Sequence, residues 1–323
     1  MRHTLTTHDG LTLHVTTHGR ADAAVTVLLA HCWTADEEVW HYQVRDLLDR
    51  YGADLRVVTW DARGHGRSEK APLEACTIEN LARDLGAVVD AHAANGPLVL
   101  AGHSIGGMTL MALPEIRPDL VHRIRGLLFV STSSGELGSV TLGLPDVGSA
   151  RKLIPHVLAL RARLLTRRER RRTPSIERYV VNRLLFGEPL RLRDAGLATD
   201  QLICCPPATM EGFYRDLMAH ERLAGLAAYD DVPAVVLVGS ADRLTPPPHA
   251  RRLAGGIRGA RLLVAPGAGH YLPLERSDLV SEHLVALVEG ARAERSGGHR
   301  LLEGAEAAAH QVGDEAVGAD RLG

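Results

Sequence analysis

Short runs of apolar residues recur along the chain, and stretches with the period of an amphipathic helix lie between them. The runs are Val25–Ala30, Leu55–Thr59, Leu98–Ala101, Gly126–Val130, Ala234–Val238 and Arg261–Val264. None alternates apolar with polar side chains. A strand with one face in water alternates, whereas a strand buried on both faces does not. The helical stretches supply the covers. Ile78, Leu81, Leu85, Val88 and Val89 fall on one face, as do Leu279, Leu284, Leu287 and Val288. This order restricts the chain to an α/β fold: a mostly parallel central sheet with helices on both faces. A hydrophobic content of 45% over 323 residues can fill such a core.

The N-terminal segment has a different pattern. Leu11, Leu13 and Val15 take alternate places among Thr and His residues and follow the turn sequence His8-Asp9-Gly10. This predicts an antiparallel hairpin at the sheet edge. After Val130 the strand pattern stops, and it resumes at Ala234. Residues between carry helical patterns only, which predicts a helical cap inserted above the carboxyl ends of the strands, over the ligand crevice. The expected division is an α/β core at 1–135 and 227–290, a cap at 136–226, and a poorly ordered tail at 291–323 that lacks aromatic residues. Within the cap, Arg161–Arg172 is strongly basic. It reads as a solvated helix face, with steering of an anionic substrate or contact with an acidic surface as alternatives.

The strongest local motif is Gly102-His103-Ser104-Ile105-Gly106-Gly107, placed between an apolar strand and a helical run from Met108. Gly-x-Ser-x-Gly in a strand–turn–helix setting is a nucleophile elbow. The tight turn forces the serine into a strained conformation, and glycines remove the Cβ atoms that would collide. The helix start beneath the hydroxyl favours a developing anion. Pro114, further along the same helix, is expected to kink or end it.

A serine hydroxyl needs a base to become a nucleophile, and the chain offers 17 histidines. His270 ends the glycine-rich Ala265-Pro-Gly-Ala-Gly-His loop that follows the last strand, where catalytic groups gather in open α/β sheets. His103 neighbours Ser104, but side chains diverge in a sharp turn, so it reads as packing locally. The base needs a carboxylate to fix its tautomer. Asp242 follows the strand from Ala234, whereas Asp230 and Asp231 precede it at the wrong end; Glu136, after the strand before the cap, is the alternative acid.

Composition excludes several classes. A net charge of −2 lacks the basic excess of nucleic-acid binders. Cys32, Cys76, Cys204 and Cys205 are too few and too irregular for a disulfide framework, which suits a reducing cytoplasm, and no Cys-x-x-Cys pair suggests zinc. His220-Glu221 is not followed by the second histidine of a zinc protease, and the Gly102 turn has no phosphate-loop lysine. The N-terminus has no signal-peptide core, and no run is long enough to span a membrane. No metal, nucleotide or other cofactor is expected.

Ser104, Asp242 and His270 in this order resemble the α/β-hydrolase superfamily, a likeness that covers about residues 3–290 apart from much of the cap. Further segments agree with it: Leu29-Ala-His31-Cys32-Trp33-Thr, Asp61-Ala-Arg-Gly-His65-Gly-Arg-Ser68, the approach Asp231–Asp242, and His270-Tyr-Leu-Pro-Leu-Glu275. The resemblance implies a Ser104–His270–Asp242 triad and an oxyanion hole made by the backbone N–H groups of Trp33 and Ile105. It implies an acyl hydrolase acting on an ester, thioester or lactone, with carbon–carbon hydrolysis, cofactor-free perhydrolysis and ligand binding without turnover as alternatives. Epoxide and haloalkane chemistry is disfavoured, because those relatives carry Asp where this chain has Ser104. The family has His-Gly where this chain has His31-Cys32, so Cys32 is expected to be strained if the site needs positive φ, or to narrow the pocket. His31 and His65 are expected to brace their loops. Cys32, Trp33, Met108, Phe213, Tyr214, Leu217 and Met218 are candidate pocket walls for an apolar or amphipathic acyl substrate.

Overall fold

The structure, a computed structural model, describes residues 1–139, 185–187 and 191–294. Eight strands form one sheet: β1 (Arg2–Thr6), β2 (Thr12–His18), β3 (Thr26–Ala30), β4 (Arg56–Asp61), β5 (Leu98–His103), β6 (Ile124–Val130), β7 (Ala234–Gly239) and β8 (Arg261–Ala265). Their spatial order is β1-β2-β4-β3-β5-β6-β7-β8. The β1–β2 hairpin joins antiparallel to β4, and every later pairing is parallel. The helices are α1 (His41–Tyr51), α2 (Ile78–His92), α3 (Ile105–Ile116), α4 (Pro118–Val121), α5 (Leu192–Cys204), α6 (Pro207–Ala219), α7 (Pro247–Gly255), α8 (Leu272–Glu275) and α9 (277–294). The inserted helical region lies between β6 and β7; its basic stretch 161–172 is outside the described residues.

The two sides of each strand explain the absence of alternation. Val25, Val27 and Leu29 face a core with Trp40, Leu47, Leu284 and Val288, on the side of α1 and α9. Leu28 and Ala30 face a second core with Leu85, Val88, Leu110 and Leu253, on the side of α2, α3 and α7. Both faces are dry, so both parities are apolar. The strand β8 departs from the expectation of two-sided burial: its residues are mostly half-buried or exposed, and Val264 is 39% exposed. Among the described residues it is the sheet edge, with a neighbour on one side only.

Two further expectations are corrected. The last helix continues to residue 294 and Ala291 is buried in the core, so the tail does not begin at 291. Its alanine, arginine and glutamate residues are good helix formers. Pro114 neither ends nor breaks α3, which runs on to Ile116. Proline cannot donate to the carbonyl of Leu110 four residues back, and the buried Tyr229 hydroxyl donates to that oxygen instead, at 2.7 Å. No helix among the described residues is long and apolar enough to cross a membrane.

Candidate active site

The winding of the sheet reverses between the parallel neighbours β3 and β5. From β3 the sheet grows one way through β4, and from β5 the other way through β6. The loops leaving these two strands therefore diverge and open a crevice at their carboxyl ends. Ser104 sits in that crevice with φ 54° and ψ −116°, as the N-cap residue just before α3. This conformation is one that L-residues rarely adopt. The glycines around it are required sterically. A Cβ on Gly102 would lie 2.4 Å from the Gly106 backbone carbon, and one on Gly106 would lie 2.3 Å from the Ala30 carbonyl oxygen. The second contact seats the elbow against the end of β3. Thr132 Oγ1 donates to the Ser104 carbonyl at 2.7 Å and holds it from the β6 side.

Asp242 and His270 come together at the ends of β7 and β8. Nδ1–H of His270 donates to Asp242 Oδ2 at 2.9 Å, and both residues are 3% exposed. The carboxylate is fixed by its own turn: Oδ1 accepts the N–H groups of Leu244 (2.9 Å) and Thr245 (3.0 Å), and Oδ2 accepts the Thr245 hydroxyl (2.9 Å). Thr245 was not singled out from the sequence; its signal was the Asp-x-x-Thr spacing ahead of a helix, the spacing of a side-chain-capped turn. Glu136, the alternative acid, is exposed, has φ 60° and pairs with Arg252 at 3.5 Å.

Between Ser104 and His270 no hydrogen bond forms among the described residues. The elbow and the His270 loop meet through His103: its Nε2–H donates to the His270 carbonyl at 2.8 Å, and the two imidazole rings lie 5.0 Å apart. Burial holds the His103 pKa well below the ordinary value, with the neighbouring His270 adding to the effect, so it serves as a neutral donor.

Two buried histidines lock the loop after β3. Nε2 of His65 accepts the Thr34 N–H at 3.2 Å while its Nδ1–H donates to the Arg63 carbonyl at 3.0 Å. Nε2 of His31 accepts the Ala62 N–H at 2.8 Å while its Nδ1–H donates to the Cys32 carbonyl at 2.8 Å. Burial lowers the pKa of His65 to about 3. Cys32 is not strained: the left-handed residue is Thr34, φ 65°, in a turn closed by the Ala35 N–H to Cys32 carbonyl bond. The N–H groups of Trp33, in this turn, and Ile105, first in α3, have no acceptor among the described residues. They leave two donors at the crevice.

The candidate wall residues divide. Met108, Phe213 and Leu217 share an apolar cluster with Ile105, with Trp33 and Met218 packed against it. Tyr214 meets Trp33 ring to ring at 6.2 Å. Cys32 packs instead with Tyr271 and Leu272 in the core beneath α1 and α9, and burial pushes its thiol up to about 12. It is a free thiol buried in the core. Among the described residues no cluster of side chains could hold a metal ion.

Residues 27–283 match the alpha/beta hydrolase family. The chain is 27% identical over 269 residues to the dihydrolipoyllysine-residue acetyltransferase component of the acetoin cleaving system of Pseudomonas putida, covering 83% of this chain and 64% of that one. It thus spans less than two thirds of that relative. It is 26% identical over 289 residues to the pimeloyl-(acyl-carrier protein) methyl ester esterase of Neisseria meningitidis serogroup A, covering 88% and 82%. An esterase from Thermogutta terrifontis shares the fold, with a TM-score of 0.71 at 24% identity over 90% of this chain and 99% of that one. The chain belongs to the alpha/beta hydrolase family.

Proposed function

We propose that the protein is a serine hydrolase that cleaves an ester-like acyl bond through an acyl-enzyme. The observation that carries this reading is the buried Asp242–His270 pair, whose ring lies beside the elbow that strains Ser104. Asp242 keeps the proton on Nδ1, so Nε2 is free to accept. The Ser104 hydroxyl attacks the acyl carbon and gives its proton to Nε2. The oxyanion accepts from Trp33 and Ile105 N–H, each such donor contributing about 2.7–4 kcal/mol. Collapse expels the alcohol with the proton held on His270. Water, deprotonated by the same nitrogen, then releases the acid and frees Ser104. The Ser104–Nε2 hydrogen bond forms when substrate fills the crevice, since catalytic hydrogen bonds commonly reach their working length only in the substrate complex.

The apolar cluster of Met108, Phe213 and Leu217 with Trp33 beside it favours an apolar or amphipathic acyl group. The likeness to a methyl ester esterase points the same way. Turnover of p-nitrophenyl esters of rising chain length by wild type and by Ser104→Ala tests the reading. The expected loss in the variant is about 10³-fold or more. Equal rates would remove Ser104 from the mechanism. Vinylogous diketones and a peracid assay in the same panel separate acyl hydrolysis from the carbon–carbon and perhydrolase chemistries.

A further inference from the structure

The loop that presents His270 has three successive amides outside any helix or strand, the outer two held by one carboxylate and the middle one by a backbone carbonyl. Gly269 N–H donates to Glu275 Oε2 at 2.8 Å, and Tyr271 N–H donates to Glu275 Oε1 at 3.1 Å. The amide between them, that of His270 itself, donates to the Leu185 carbonyl at 2.8 Å. Leu185 belongs to the inserted region, in a segment of which residues 185–187 are described. Two residues on, Gly187 N–H donates to the same Glu275 Oε2 at 3.0 Å. One carboxylate thus grips the inserted segment with one oxygen and brackets the base with both.

The two backbones touch without side chains between them. A Cβ on Gly187 would lie 2.1 Å from the Gly267 carbonyl oxygen, and one on Gly269 would lie 2.4 Å from the Gly187 nitrogen. Phe186, between Leu185 and Gly187 in the chain, packs against Tyr271, the residue next to the base, with ring centroids 5.1 Å apart. Glu275 is the last residue of α8, so the helix sets where its carboxylate stands. Burial raises the Glu275 pKa, and the three N–H donors oppose that shift and favour the charged acceptor.

We propose that Glu275 is a positioning residue that couples the 185–187 segment of the insertion to the His270 loop, so that seating the segment and placing the imidazole are one event. This rests on His270 being the base. Glu275 touches no reacting atom; it acts through the backbone of the loop. Replacing it by glutamine puts an amide donor against at least one N–H group, while volume is kept.

The test compares wild type, Ser104→Ala, Glu275→Gln and Gly187→Ala. The readouts are kcat and KM on a p-nitrophenyl ester, the rate of fluorophosphonate labelling, the melting temperature, and hydrogen exchange of the peptide spanning 267–276. Gly187→Ala disturbs the segment and leaves the carboxylate in place. The expected result is a fall of about ten- to hundredfold in kcat and in labelling rate for both variants, with KM within about threefold. Exchange at the His270 peptide rises in both. Wild-type kcat and labelling in folded Glu275→Gln and Gly187→Ala would overturn the coupling while leaving the triad intact. If Glu275→Gln does not fold, Gly187→Ala decides alone by the same criteria. Equal turnover by wild type and Ser104→Ala would instead sink the serine-hydrolase reading, and Glu275 would then be only a staple of the loop.

Discussion

Asp242→Asn should silence the site without disturbing its shape, and the hydrogen bonds say why. Oδ1 of Asp242 faces two backbone donors, the N–H groups of Leu244 and Thr245. In the asparagine variant the carbonyl oxygen must take that place, since an NH2 group there would meet donors. The amide nitrogen is then forced into the Oδ2 position, 2.9 Å from His270 Nδ1. Facing a donor, Nδ1 must accept, so the ring proton moves to Nε2, the nitrogen meant to receive the proton of Ser104. A wrong tautomer of this kind costs about 10⁴-fold in kcat, or about 5.5 kcal/mol of barrier. The turn itself keeps both backbone bonds, so the melting temperature should move little. Steady-state ester hydrolysis with matched thermal melts measures both. A folded Asp242→Asn within tenfold of wild type would refute the tautomer argument.

Three other consequences concern the scaffold. Gly106→Ala places its new carbon 2.3 Å from the Ala30 carbonyl oxygen, and because that neighbour is backbone, denaturant unfolding should show a loss of about 3 kcal/mol. Tyr229→Phe removes the donor to the Leu110 carbonyl that Pro114 leaves unpaired, costing about 1–3 kcal/mol. Adding Pro114→Ala should restore part of that loss, and strictly additive losses in the double variant would contradict the account. Burial keeps His65 neutral in the folded protein down to about pH 3, whereas the unfolded chain binds its proton below about pH 6.5. Stability is therefore complete above pH 6.5 and falls toward pH 3, by up to about 1.4 kcal/mol per pH unit from this residue. Urea midpoints across that window should be less steep in pH for His65→Gln than for wild type.

The strands and the elbow are legible because each depends on local pattern. Apolar runs mark strands buried on both faces, and Gly-x-Ser-x-Gly between strand and helix has few other uses. Asp242 and His270 were found by their place after β7 and β8, and the structure joins them directly. What the sequence hid was long-range bonding between side chain and backbone. Glu275 reaches Gly187, and His65 reaches Thr34, 31 positions away; no periodicity encodes such pairs. The left-handed position after β3 was sought at Cys32 because the family has glycine there, yet the turn is shifted and Thr34 carries it. The end of α9 was misplaced because Ala-Arg-Ala-Glu suits a tail as well as a helix, and only packing of Ala291 decides. Edge exposure of β8 likewise depends on its having no outer neighbour among the described residues, which is a property of the whole sheet.

The central claim is that Ser104 carries the acyl group during turnover. Acid quenching of the enzyme in the first turnover of a slow p-nitrophenyl ester, followed by peptide mass analysis, reads this directly. The account predicts an acyl increment confined to the peptide that contains Ser104, absent from Ser104→Ala and strongly reduced in His270→Ala. Ester turnover with no such increment, or with the increment on another residue, would contradict it.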